Sequence, residues 1–323
     1  MMKPTELIWW VIAVVGVADF GLLAGQGMTV TLHWQAIFEG VFLYSISIIY
    51  RRRAPFIASI ALSGAQLAAL SYAAAFLTYA AMAITRYPMA DTALAQADAA
   101  LGFPWMEWFT FVQAHPGVHF LLAGAYASVP MQALVLITFL SAMDVRRVHE
   151  LLLSGILAII IIAPIMALLP AVGAWSQHGV GFEPWRDDII ALRSHTLLRI
   201  GEPQGIVSFP SFHAVLGVLF ANMARGRKWF VPFLVLNLLM IASVFTEGAH
   251  YGVDMISGLA VAVVALAISQ GLLARCSSGA LAGPGDVGIE AGTAFRHGTN
   301  FEPIEGTLLT QAAPALSRAT LSP

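Results

Sequence analysis

The chain is broken into long, almost uncharged apolar blocks, and no other feature constrains its fold as strongly. A helix crossing a bilayer needs about 20 mostly apolar residues, and the sequence supplies blocks of that order near 7–25, 31–50, 55–84, 117–142, 150–172, 210–224, 229–247 and 252–274. The sixth block is short, as suits a helix whose outer end is buried in protein rather than lipid. With 59% hydrophobic and 11% charged residues, where a soluble domain carries roughly a quarter charged, the chain could not cover a water-facing surface. The expected fold class is therefore all-α: a polytopic membrane helical bundle of about eight transmembrane helices with a disordered C-terminal tail. Residues 1–84 read as N-terminal membrane helices, 85–275 as the membrane domain that carries any chemistry, and 276–323, rich in Gly, Ser, Thr, Ala and Pro, as a disordered cytoplasmic tail.

Lys3 begins a retained first span, since no small-x-small cleavage site follows it. Cytoplasmic loops accumulate Lys and Arg. The clusters Arg51–Arg53, Arg146–Arg147 and Arg225/Arg227/Lys228 fall in alternate loops. With Lys3, Arg275, Arg296 and Arg318 they bring twelve of the sixteen basic residues to one side. That side is the cytoplasmic face of a cell membrane, with both termini there. The exceptions are Arg86, Arg186, Arg193 and Arg199. Three of these share one external loop, which points either to an anion met there or to ordinary loop solvation. The other large external segment, 85–116, carries Phe103-Pro104-Trp105-Met106-Glu107-Trp108, suited to an interfacial helix that is either an anchor or a lid. The net charge of −2 points to no nucleic-acid partner, and a single cysteine, Cys276, excludes an internal disulfide.

Two polar segments open spans on the same, external face. They are Ser208-Phe209-Pro210-Ser211-Phe212-His213-Ala214 and Glu247-Gly248-Ala249-His250-Tyr251-Gly252-Val253-Asp254. Ionisable groups at the edge of membrane helices are costly and default to function. His250 and Asp254, at i and i+4, share a helix face. A carboxylate on one imidazole nitrogen sets the tautomer and leaves the other as a directed nucleophile. Pro210 fits the first turn of a helix, with Ser211 and His213 directly after it, and helix N-termini seat phosphate. The set suits phosphoryl transfer and needs neither metal nor cofactor. Zinc held by His213, His250 and Asp254 is the alternative, but it gives the arginines no task. Asp19 and Glu39, inside the first two spans, could instead mark the ion path of a transporter. His33, His115, His119, His178 and His195 receive no role.

At these residues the chain resembles the type 2 phosphatidic acid phosphatase superfamily, and within it the branch containing the inositol phosphorylceramide synthases of the aureobasidin-resistance type. Pro210-Ser211-x-His213 is similar to the superfamily's second motif and His250-x-x-x-Asp254 to the end of its third, with likeness extending from Asp98-Ala-Ala-Leu-Gly-Phe through His115-Pro116 to Gly258. The resemblance implies a lipid phosphate or phospholipid substrate. It makes His250 the nucleophile that becomes a phosphohistidine, Asp254 its orienting carboxylate, His213 the acid and base, and Ser211 a ligand of phosphate oxygens. The first motif, Lys followed by Arg-Pro, is absent. Arg193 stands in for it, with Arg199 second. Val244 occupies the third motif's arginine position, and Phe212 replaces a common glycine. Whether water or an alcohol accepts the phosphoryl group stays open. A non-catalytic lipid-binding protein and, more distantly, a vanadate-dependent peroxidase share the scaffold.

Overall fold

The structure, a computed structural model, describes residues 2–31 and 34–281, the last five as backbone only. His33 and residues 282–323, most of the expected tail, lie outside the described residues. All eight apolar blocks are helical. They form α1 (Pro4–Gly25), α2 (Trp34–Tyr50), α3 (Pro55–Ile84), the consecutive α6 (Pro116–Ala127) and α7 (Val129–Met143), α8 (Val145–Leu168), α11 (Phe212–Ala224), α12 (Phe230–Glu247) and α13 (Gly252–Leu281). Short helices α4 (Asp91–Ala100), α5 (Trp105–Ala114), α9 (Ala174–His178) and α10 (Arg186–Arg193) fill the connecting segments. Thr29–Val30 (β1) pairs in parallel with Arg199–Ile200 (β2), Thr29 opposite Arg199.

Among the described residues five helices, α1, α3, α8, α12 and α13, are long and apolar enough to cross a membrane, and the α6–α7 pair, bent by 49°, makes a sixth if the two helices form one broken span. The remaining two blocks, α2 and α11, are apolar but have only 17 and 13 residues. At 1.5 Å per residue α11 spans about 20 Å, short of the ~30 Å hydrocarbon layer. Proline opens α1, α3 and α6, where its missing N–H has no partner to lose. The helices depart from the apolar blocks at two ends. α8 begins at Val145, so Arg146 and Arg147 form its first turn. α13 continues to Leu281, past the residue 276 expected to open the tail. Helical hydrogen bonding continues through polar residues where no proline interrupts it.

α8 is the central post. Its inward side chains, from Val148 to Met166, are buried, and it packs against α1, α3, α7, α11 and α13. Large apolar side chains face outward around it: Trp10, Val17 and Phe20 on α1, Phe120 on α6, Val231 on α12 and Val263 on α13. Helices apolar on every side belong in lipid. A second, smaller core built on Trp105, Phe209, Val244, Phe245, Tyr251 and Met255 closes one end of the bundle, called the site end below.

Candidate active site

The loop joining α12 to α13 is held from four directions. The His250 carbonyl accepts the Trp105 indole N–H at 2.9 Å. The Asp98 carboxylate accepts the N–H groups of Gly252 (2.7 Å) and Val253 (2.8 Å), which caps the start of α13, where a negative charge also meets the helix dipole. Tyr251 is fully buried, and its hydroxyl lies 3.1 Å from Asp91 Oδ1 and 3.0 Å from the Gly173 carbonyl. Asp91 in turn accepts the N–H groups of Val172 and Gly173, and Ala174 N–H donates to the Ala249 carbonyl at 2.6 Å. Gly173, at φ +143°, has no room for a side chain, since a Cβ would stand 2.9 Å from that carbonyl. Ala249 sits at φ +52°, a left-handed conformation that costs a non-glycine residue free energy and persists only where surroundings impose it.

This loop presents His250 to α11. Its Nδ1 lies 3.1 Å from Asp254 Oδ2, with the two side chains 2% and 0% exposed. The contact runs from the loop to the first turn of α13 rather than along one helix face, because α13 begins only at Gly252. Asp254 Oδ2 also accepts the Tyr251 N–H at 2.8 Å. A carboxylate on Nδ1 assigns the proton to that nitrogen and the lone pair to Nε2. Nε2 is 3.3 Å from Ser211 Oγ, and the Ser208 carbonyl also meets the ring. Burial pushes the His250 pKa down to about 4, against the opposing effect of the Ser208 carbonyl, so the imidazole is neutral at pH 7.

Ser211 is the N-cap of α11. Its hydroxyl accepts Ala214 N–H at 3.3 Å, the role for which serine is favoured. Pro210 therefore precedes the helix instead of entering its first turn. Ser211 N–H donates to the Asp254 carbonyl at 3.0 Å, and a Cβ on Gly258 would collide with the Ser211 carbonyl. The missing side chain is what lets α13 approach the start of α11. Within the first turn, His213 places its ring centroid 6.1 Å from that of His250 and stacks on Tyr126 at 4.4 Å. Glu247 Oε1, at the end of α12, lies 3.1 Å from His119 Nε2.

The arginines are arranged differently. Arg193 Nη2 donates to the Tyr87 carbonyl at 2.7 Å, while its Nη1 is buried without a partner. Arg199 Nε donates to Thr31 Oγ1 at 2.9 Å beside the β1–β2 pair, and Arg186 lies over the Phe182 ring. Among the described residues no hydrogen bond or ion pair joins these three to His213 or His250. Val244 is fully buried in the small apolar core, so position 244 offers no guanidinium. Ser208 Oγ, like Arg193 Nη1, is buried and unpartnered. Among the described residues no three His, Cys, Asp or Glu side chains converge as a metal-holding group.

Several of these residues received no role from the sequence. Asp91, Asp98, Tyr126 and Tyr251 act across 80 or more residues, and no local spacing announces such contacts. Trp105 and Trp108 looked like interfacial anchors, but both indoles donate to backbone carbonyls, of His250 and Ala242. The signal was present in one form: the stretch beginning at Asp98 already stood inside the resemblance.

No curated protein and no solved structure matched the chain. A family model described as the PAP2 superfamily matched residues 92–268, more than half of the chain, enclosing α4 after its first residue, α5 to α12, most of α13, and both His213 and His250. The superfamily generally comprises phosphatases and phosphotransferases. With the match extending over that length, this membrane-helical chain belongs to the PAP2 superfamily.

Proposed function

We propose that residues 85–275 form a lipid-phosphate phosphohydrolase or phosphotransferase whose nucleophile is His250. The observation that carries the reading is the orientation of one buried imidazole: Nδ1 on Asp254, Nε2 toward Ser211, and a second histidine ring 6.1 Å away. Nε2 attacks phosphorus and the P–O bond to the leaving alcohol breaks, giving a phosphohistidine. His213 delivers the proton to the departing alkoxide. It then removes a proton from the incoming water or alcohol, which attacks phosphorus and returns His250 to its neutral state. General acid–base assistance of this kind is worth about 10²–10⁴ in rate. Asp254 holds the ring and stabilises its positive charge. Ser211 and the unpartnered Ser208 hydroxyl and Arg193 Nη1 are donors for phosphate oxygens, and preorganised donors stabilise charge in the transition state.

A lipid substrate is supported by a cavity of about 490 Å³ lined by apolar residues of α3, α7, α8 and α11, among them Leu70, Ala74, Ile159 and Leu216, which reaches Val207 and Phe212 beside the site. The arginine distribution supports an extracytoplasmic site with both termini inside. The inositol phosphorylceramide synthase-like segments Gly205–His213 and Gly248–Asp254 favour, as a second reading, transfer of a phospho-headgroup to a lipid alcohol.

The test uses purified protein in detergent with a panel of lipid phosphates and phospholipids, with and without inositol, and mass spectrometry of the products. Free phosphate identifies a phosphatase, and a new phospholipid or phosphosphingolipid a transferase. Turnover that survives His250→Ala removes the nucleophile assignment. No turnover on any substrate favours a lipid-binding or transport role on the same scaffold.

A further inference from the structure

At the end of the bundle opposite the site, a polar pocket of about 290 Å³ opens where α8 starts and α11 ends, lined by Asp144, Arg146, Arg147, Glu150, Asn222, Arg225 and Gln270. Ser211 begins α11 and Asn222 lies eleven residues on, while Gln270 is sixteen residues along α13 from Asp254. At 1.5 Å per residue these separations put the pocket about 16–24 Å from the histidines along the helices.

Most polar groups here are committed. Asp144 Oδ2 meets Arg147 Nε at 3.5 Å and Arg227 Nη2 at 3.4 Å. Arg147 Nη1 donates to the Asn222 and Met223 carbonyls, both at 3.0 Å, closing the C-terminus of α11. Glu150 Oε1 accepts from Asn222 Nδ2 (3.3 Å) and Gln270 Nε2 (2.7 Å). The carboxylates are thus already occupied by donors. Arg146 and Arg225, both exposed, have no side-chain partner among the described residues. Two uncompensated guanidiniums on the rim of a preformed cavity present forked donors that match phosphate geometry. Beside them the outer surface turns apolar, with Phe139, Met143 and Val145 exposed on the turns flanking Asp144.

We infer that this pocket binds the phosphate headgroup of an anionic phospholipid, with Arg146 and Arg225 on the phosphate and the acyl chains along Phe139 and Met143. A basic pocket between membrane helices with adjoining apolar surface is chemistry suited to such a lipid. The site stands apart from the histidine centre and does not depend on turnover there.

Native mass spectrometry of the full chain in detergent, titrated with dioleoylphosphatidylglycerol or dioleoylphosphatidylcholine, tests it. The expected result is one phosphatidylglycerol retained over phosphatidylcholine, and at least tenfold weaker retention of that one lipid in Arg146→Gln/Arg225→Gln. Arg146→Lys/Arg225→Lys, which keeps the charge without the fork, should fall between the wild type and the Gln pair, and an unchanged Tm in the Gln pair separates lost recognition from lost folding. Neutralising Arg51, Arg52 and Arg53, on another loop, should change little. Equal retention of both lipids, unchanged binding in the Gln pair, or an equal loss in the Arg51–Arg53 variant overturns the inference. Displacement by a tenfold excess of sn-glycerol 3-phosphate also overturns it, in favour of a soluble-anion site.

Discussion

The loop 248–254 and the pocket at Arg146 lie at opposite ends of the same helices, and they treat polar groups in opposite ways. Around His250 the groups that hold the loop are buried and matched: Trp105 to the His250 carbonyl, Asp98 to two N–H groups, one Asp254 oxygen to the ring, with Ser208 Oγ and Asp254 Oδ1 left buried and unpartnered. Around Arg146 the framework is matched, but its outermost cations stay exposed and free. The contrast separates two uses of charge. A reacting group needs one orientation, which only a low-dielectric setting with every partner supplied can impose. A group that meets a mobile headgroup needs availability, and burial would remove it.

The largest test of this contrast is His250→Ala, expected to lower kcat by at least about 10³-fold, measured as product release per mole of folded protein. Gly258→Ala comes next. Its Cβ collides with the Ser211 carbonyl, so α13 must move off α11, costing about 1–3 kcal/mol and roughly 10–100-fold in kcat as Ser211 and His250 separate. A normal rate in a variant with lowered Tm would mean that the close approach serves packing alone. Asp98→Asn keeps the shape of the cap but removes its charge, and is expected to cost about 1–2 kcal/mol in thermal unfolding with a smaller fall in kcat. Asp98 lies well away from the reacting nitrogen in the bonding pattern, so an unchanged Tm would show that the loop is held without it.

The pH dependence follows from His250. An imidazole titrates near 6.5 when unfolded and near 4 when folded here, so between those values the unfolded chain binds more protons. Its contribution to stability is complete above about pH 6.5 and is lost as the pH falls toward 4. For the same reason the acid limb of kcat/KM due to His250 should fall near pH 4, and a limb near 6.5 would mean that the ring is hydrated. The smallest expected effect is that of Arg146→Gln/Arg225→Gln on turnover in detergent, within about twofold, since about 16–24 Å of helix separates that end from the histidines. A larger change would tie the two ends together.

The fold was legible in proportion to how local its cause is. Third-span bounds, 55–84, coincide with α3 because proline and the end of the apolar run mark both limits. The 49° bend of the fourth block falls beside Pro130, a breaker that the apolar count passed over, and the fifth helix starts earlier than its apolar run because charged residues also form a first turn. The histidine motifs were legible as residue types at helix starts, whereas the supports from Asp91, Asp98, Trp105 and Tyr126 were not.

Composition and patterning alone determined that this chain is a membrane bundle and singled out two polar segments at helix starts, since a bilayer tolerates few ionisable groups and marks each one it keeps. Tertiary structure alone decided which groups surround them. The guanidinium of Arg199 went to Thr31, Arg193 kept one nitrogen unpartnered, and a carboxylate from α4 caps the helix after His250. Such pairings depend on where helices far apart in sequence come to rest, and hydrophobic periodicity, which records only which face is apolar, carries no information about that.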